Sequence, residues 1–126
     1  MKRTGGFILG LLAVGVLGVI LTGCRGAGRF SGSRVVNQDG FQMEYSILNQ
    51  RETAYLELAA GDALRVTIRQ EAGSVDVLVG IDGEEPVYEG NGLADCSFTL
   101  NISETGRYLI SVTGHKACGS VTFVKN

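Results

Sequence analysis

Residues 63–82, ALRVTIRQEAGSVDVLVGID, decide the fold class. In the first half Leu64, Val66 and Ile68 point one way, while Arg65, Thr67 and Arg69 point the other. In the second half Val75, Val77, Val79 and Ile81 alternate with Asp76, Leu78, Gly80 and Asp82. A repeat of two is the signature of a half-buried strand, because successive side chains leave opposite faces of the backbone. Ala72-Gly73 between the halves offers the positive φ of a tight turn, so the stretch is expected to be two strands of a hairpin.

The same period runs outward in both directions. Phe41, Met43, Tyr45 and Ile47 alternate with polar residues, as do Ala54, Leu56 and Leu58. Downstream, Cys96, Phe98, Leu100 and Ile102 share a face, as do Tyr108, Ile110 and Val112, and then Val121 and Phe123. Asp39-Gly40, Gly61-Asp62, Asp82-Gly83, Asn91-Gly92 and Thr105-Gly106 supply further turn signals. No segment of this part has a helical period. The expectation is an all-β domain, a small antiparallel β-sandwich of seven or eight strands, jelly-roll-like.

The N-terminus is of another kind. Lys2 and Arg3 precede an uncharged apolar run from Gly5 to Ile20, which ends at Leu21-Thr22-Gly23-Cys24. This is the order of an export signal helix, with a charged start, an apolar middle and small residues at its end. A plain membrane anchor is the alternative. Five glycines within the run (Gly5, Gly6, Gly10, Gly15 and Gly18) and the cysteine at its end weigh against it. Leu21-Thr22-Gly23-Cys24 resembles the lipobox of bacterial lipoproteins at all four positions. That resemblance implies a diacylglyceryl group on the Cys24 thiol and cleavage before Cys24. It also implies a protein held on a bacterial cell membrane, facing away from the cytoplasm. The expected division is 1–23 as signal peptide, 24–34 as lipidated cysteine and flexible tether, and 35–126 as the sandwich.

The 24–34 stretch is rich in glycine and serine and carries Arg25, Arg29 and Arg34, suited to a tether that meets anionic headgroups. Beyond Arg34 the chain holds six basic and thirteen acidic residues. That balance offers no basic surface for a nucleic acid. Residues 53–125 further resemble the bacterial pre-peptidase C-terminal domain, a small jelly-roll sandwich of secreted proteins. The likeness rests on Leu58-Ala59-Ala60-Gly61-Asp62 before Leu64, Val66 and Ile68, on Val75-Asp76-Val77, on Phe98, and on Thr105-Gly106-Arg107-Tyr108 before Ile110 and Val112. It implies a similar fold and an accessory, non-catalytic character.

Few residues present themselves for chemistry. With Cys24 assigned to lipid, Cys96 and Cys118 form an even pair in an exported chain, and a disulfide between them is expected. Two free cysteines are the alternative. His115 is the sole histidine. With Cys118 and Cys96 it offers a three-ligand metal reading, set against a surface histidine in a strand-linking loop. Asp76, Asp82 and Asp95 offer oxygen ligands for calcium, without the spacing of a calcium loop. No metal, cofactor or catalytic residue is assigned. Tyr55 and Tyr88 fall out of phase with the core and are the candidates for contact with a ligand, set against merely covering the edge of the sandwich. The resulting expectation is a binding or accessory module whose partners are the membrane, through Cys24, and an envelope protein or glycan. A small envelope hydrolase or metal-dependent enzyme using His115 and nearby Cys and Asp residues is the alternative.

Overall fold

The computed structural model describes residues 29–126; the expected signal segment, Cys24 and Arg25 lie outside the described residues. The described chain is all-β, without helix. It forms one seven-stranded antiparallel sheet from β1 (Phe30–Asn37), β2 (Gly40–Leu48), β3 (Arg51–Leu58), β4 (Ala63–Ile81), β5 (Tyr88–Leu93), β6 (Cys96–Asn101) and β7 (Gly106–Lys125). The strand order is β1-β2-β7-β4-β5, with β3 also on β7 and β6 also on β4.

The runs on either side of Gly73 are one strand, not a hairpin. So are the runs on either side of His115. β4 has 19 residues and β7 has 20, paired antiparallel along almost their whole length. At about 3.3 Å per residue a straight strand of this length would reach about 60 Å, far beyond the breadth of a domain whose radius of gyration is about 13 Å. Both strands therefore turn a corner.

The burial pattern marks where. In β4 the buried positions are Leu64, Val66 and Ile68, then Val75, Val77 and Val79. In β7 they include Tyr108, Ile110 and Val112, then Ala117, Val121 and Phe123. Each strand changes from even to odd numbers, which is what one extra residue does to a period of two. The changes coincide. Register shifts flank Ala72, which lies opposite Cys118, and Ser74 lies opposite His115. Gly73 has a φ of 70°, and a Cβ there would land on the carbonyl oxygens of Lys116 and His115. Lys116 has a φ of 52° itself, and its N–H donates to Asn49 Oδ1 at 2.9 Å.

Each long strand thus serves two neighbourhoods. The first half of β4 lies between β6 and the second half of β7, which continues to β2 and β1. Its second half lies between β5 and the first half of β7, which continues to β3. Buried side chains from both neighbourhoods join one apolar core, including Phe41 and Phe123 with ring centroids 5.9 Å apart.

Three expectations are corrected here. The tether does not extend to Arg34, since ordered pairing begins at Phe30, opposite Leu48, and Arg34 pairs with Met43 inside β1. Gly32 and the serines of FSGSRVVN suggest a linker, but β2 supplies their partners. Arg34, though exposed, is not a free arginine of a tether. Its guanidinium donates to Glu52 Oε1 and to the Thr53 carbonyl oxygen, both at 2.7 Å, and lies over the Phe41 ring. It thereby links β1 to β3. Asn91-Gly92 is not a hairpin turn but part of β5, where the Gly92 N–H donates to Asp76 Oδ1 at 2.8 Å.

The expected Cys96–Cys118 disulfide is also corrected. Ile68 pairs with Cys96 on one side and with Val121 on the other, so β4 stands between β6 and β7. Two strand spacings make about 9.5 Å, while bridged cysteines need Cα atoms within about 7 Å. Cys96 is a free cysteine.

Candidate functional site

The corner line crosses the sheet as a crease. Register irregularities fall between Ser31 and Gly32 in β1, between Tyr45 and Leu48 in β2, and around Ala72 in β4. Along the crease lies a groove of about 700 Å³. Its lining forms two rows in register. One runs Gly32, Tyr45, Gly119, Gln70; the next runs Ser33, Glu44, Ser120, Arg69. Asp95, just before β6, closes one end, and Glu71 and Cys118 complete a side.

The glycines shape this crease. A Cβ on Gly32 would strike the Glu44 carbonyl oxygen, and one on Gly119 would strike that of Arg69. Tyr45 reaches across β7 at Gly119 and donates its hydroxyl to Gln70 Oε1 at 2.5 Å. Burial pushes the Tyr45 hydroxyl well above the ordinary phenol range. The Gln70 side chain is then half-used, since its Nε2 is buried with no hydrogen-bond partner. The Gln70 backbone N–H donates to Asp95 Oδ1 at 2.7 Å, so Asp95 continues the β6 pairing through its side chain.

Glu44, Glu71 and Asp95 bring three carboxylates to the lining against the one guanidinium of Arg69. Among the described residues the ion pairs are Arg34–Glu52 and His115–Asp76, so none of these four groups is ion-paired there. The Arg69 guanidinium donates to the Ile68 carbonyl oxygen at 3.3 Å, and Glu71 Oε1 lies 3.8 Å from Cys118 Sγ.

The residues singled out in the sequence are scattered. His115 sits within β7 at the corner, not in a strand-linking loop. Its Nε2 lies 2.7 Å from Asp76 Oδ2. That contact and the Gly92 N–H hold the Asp76 carboxyl below the usual carboxylate range. Asp82 and Tyr55 meet elsewhere, the Tyr55 hydroxyl donating to Asp82 Oδ2 at 3.2 Å while Arg107 stacks 4.0 Å over the Tyr55 ring. Tyr55 is exposed, as its phase predicts. Tyr88 is not, because its ring packs 4.6 Å from that of Phe98 against the core, and burial raises its hydroxyl.

Asp76, Asp82 and Asp95 thus occupy three separate places. Among the described residues no group of three His, Cys, Asp or Glu side chains is arranged to hold a metal ion. On the other half of the long strands, a smaller polar pit lies between Arg51, Asp76, Glu89 and Ser111, in which Arg51 Nε donates to Ser111 Oγ at 2.8 Å.

Of the groove residues only Asp95 and Cys118 drew attention in the sequence. Glu44, Arg69 and Glu71 look there like the ordinary solvated face of strands, and Tyr45 like core. No protein family and no curated protein shows a significant match to this chain.

Proposed function

We propose that this chain is a bacterial lipoprotein, held on the outer side of a membrane by lipid on Cys24, whose folded part is a non-enzymatic binding or accessory module. The observation that carries the anchoring is Leu21-Thr22-Gly23-Cys24 at the end of an apolar run that follows Lys2 and Arg3. Each buried methylene of an acyl chain contributes about 0.8 kcal/mol, and two or more chains make the attachment lasting. Ordered pairing from Phe30 leaves only a few residues between Cys24 and the sheet. The module would therefore stand close to the surface.

The folded part is read as a jelly-roll-like β-sandwich of the pre-peptidase C-terminal kind. The simultaneous parity change in β4 and β7, the core shared by both neighbourhoods and the Arg34 link from β1 to β3 support two facing layers. The binding role rests on the groove, where the exposed Glu44, Arg69, Glu71 and Asp95 line one crease. An envelope protein or glycan is the class of partner such a module meets.

The anchoring is tested in the intact chain. Cys24→Ser should leave an uncleaved precursor that partitions differently from wild type in detergent phase separation. The wild type should carry an acyl-modified Cys24 as its first residue by mass spectrometry. A Cys24→Ser protein that is processed and partitions as wild type overturns the reading.

A further inference from the structure

We propose that the pit beside Ser111 binds a free α-amino acid with a short side chain. The proposal goes beyond the binding-module reading. It concerns the other half of the long strands and depends on neither the crease groove nor the lipid anchor.

Register places the pit on the outer face of that half. Arg51, Thr113 and Asp76 lie opposite one another in one row, and Thr53, Ser111, Leu78 and Glu89 in the next row but one. The row between holds Val112 and Val77, which are buried in the core, so the two outer rows point away from it. They line a pit of about 220 Å³. Pockets for drug-sized ligands run from about 300 to 1,000 Å³, so this one suits a smaller molecule.

A bulge opens one wall. The ladder between β4 and β5 is irregular between Val75 and Val77, at Asp76, and Gly92 takes a φ of 64° there. The Asp76 carboxylate is fixed at the break by the Gly92 N–H and by His115. The facing wall is set by Ser111, which is buried at 6% exposure and accepts the Arg51 Nε–H at 2.8 Å. That bond holds the guanidinium by one nitrogen. It leaves both Nη groups, which together can fork around a carboxylate.

Charges of opposite sign thus stand on opposite walls without joining. Among the described residues the ion pairs are Arg34–Glu52 and His115–Asp76, so Arg51 pairs with neither Asp76 nor Glu89. A simple anion would meet Arg51 and be repelled by the two carboxylates. A simple cation would meet the carboxylates and be repelled by Arg51. A small molecule carrying both charges satisfies both walls, its carboxylate on the Arg51 Nη groups and its ammonium toward Asp76 and Glu89. Leu78, half-buried between Ser111 and Glu89 in the same row, offers contact to an alkyl side chain. The volume favours a short one.

The test titrates the full chain in neutral detergent with alanine, as each enantiomer, and with propionate and ethylamine, which each lack one of its two charges. Saturable binding of at least one enantiomer is expected, with shifts at the backbone amides of Asp76, Leu78, Asn91 and Ser111. Propionate and ethylamine should bind at least about tenfold more weakly, since each loses a charge-assisted contact. Arg51→Gln and Glu89→Gln should each weaken alanine binding about tenfold. Glu89 is exposed and in no ion pair among the described residues, so its variant tests the site without disturbing the fold. Absence of saturable binding by either enantiomer, propionate or ethylamine binding as tightly as alanine, shifts that avoid the pit, or an unchanged affinity in Glu89→Gln each overturns the proposal. Phenylalanine binding as tightly as alanine overturns it as well. The crease groove and the processing of Cys24 are unaffected by any of these outcomes.

Discussion

The Tyr45 hydroxyl donates to Gln70 Oε1 across an intervening strand, with Gly119 of β7 lying in register between the two. β2 and β4 are not neighbours in the sheet, so this bond, made on the core face, ties them together across β7. Tyr45→Phe would leave Gln70 with neither end of its amide paired. The expected loss is about 1–2 kcal/mol. It should appear as a lower urea midpoint with an unchanged slope, because the surface exposed on unfolding stays the same. A midpoint equal to wild type would show that the bond does not stabilise the crease.

Gly73 and Gly83 both have positive φ, at 70° and 85°. Only Gly73 lies against another backbone, whereas nothing approaches the Cβ position of Gly83 within 4 Å. Gly83→Ala should therefore cost about 1 kcal/mol, the conformational term alone. Gly73→Ala must also push apart the strands at the corner and should cost clearly more, about 2–4 kcal/mol. Parallel denaturation curves compare them, and equal losses would argue against the close approach at the corner.

Asp76 ties three strands together through His115 in β7 and Gly92 in β5. Its carboxyl is held below the ordinary value, first by the His115 hydrogen bond and then by the Gly92 N–H. The native state thus binds this proton more weakly than the unfolded chain. The stabilisation is fully present above the unfolded value of about 3.9, and it is lost as pH falls through the lower folded value. Asp76→Asn should flatten the acid limb of stability measured between about pH 2 and pH 5. An acid limb identical to wild type would remove Asp76 from the acid response.

Arg34 stacks on Phe41 and satisfies the Thr53 carbonyl oxygen. Arg34→Ala should loosen β1 specifically. Amide exchange should accelerate in Phe30–Asn37 and in the neighbouring part of β3, with a global loss of about 1 kcal/mol. Unchanged exchange in both segments would mean that β1 is held by its pairing with β2 alone.

Cys96 is a free cysteine set apart from Cys118 by β4. Alkylation of the folded, unreduced protein followed by peptide mapping should find Cys96 modified. It should find no peptide pair joining Cys96 to Cys118. A linked pair would overturn the strand order around β4.

Much of the fold was legible from alternation alone. Leu64, Val66, Ile68, Val75, Val77, Val79, Tyr108, Ile110, Val112, Val121 and Phe123 were assigned inward from their spacing, and all are buried. Period two is a local property, carried by the pleat of each strand whatever its partners are, and it sufficed for the all-β class.

Pairing was decided elsewhere. A glycine with positive φ serves a turn or a bulge equally well, so Gly73 suggested a hairpin where β4 in fact runs on around a corner. The difference lies in Lys116 and His115, some forty residues away, whose carbonyls occupy the space beside it. FSGSRVVN and YEGNGL lack a clean alternation. They are strands because β2 and β4 present free backbone groups to them. The cysteines share an even count but stand on opposite sides of β4, a separation set by strand order. The groove is the most distant from the sequence. Glu44, Arg69, Gln70 and Asp95 are ordinary polar positions on three separate segments. Register across four strands and the Gln70–Asp95 hydrogen bond, together with side-chain-free Gly32 and Gly119, bring them to one crease. Alternation records which face a residue takes, and only the long-range hydrogen-bond ladder determines which residues share it.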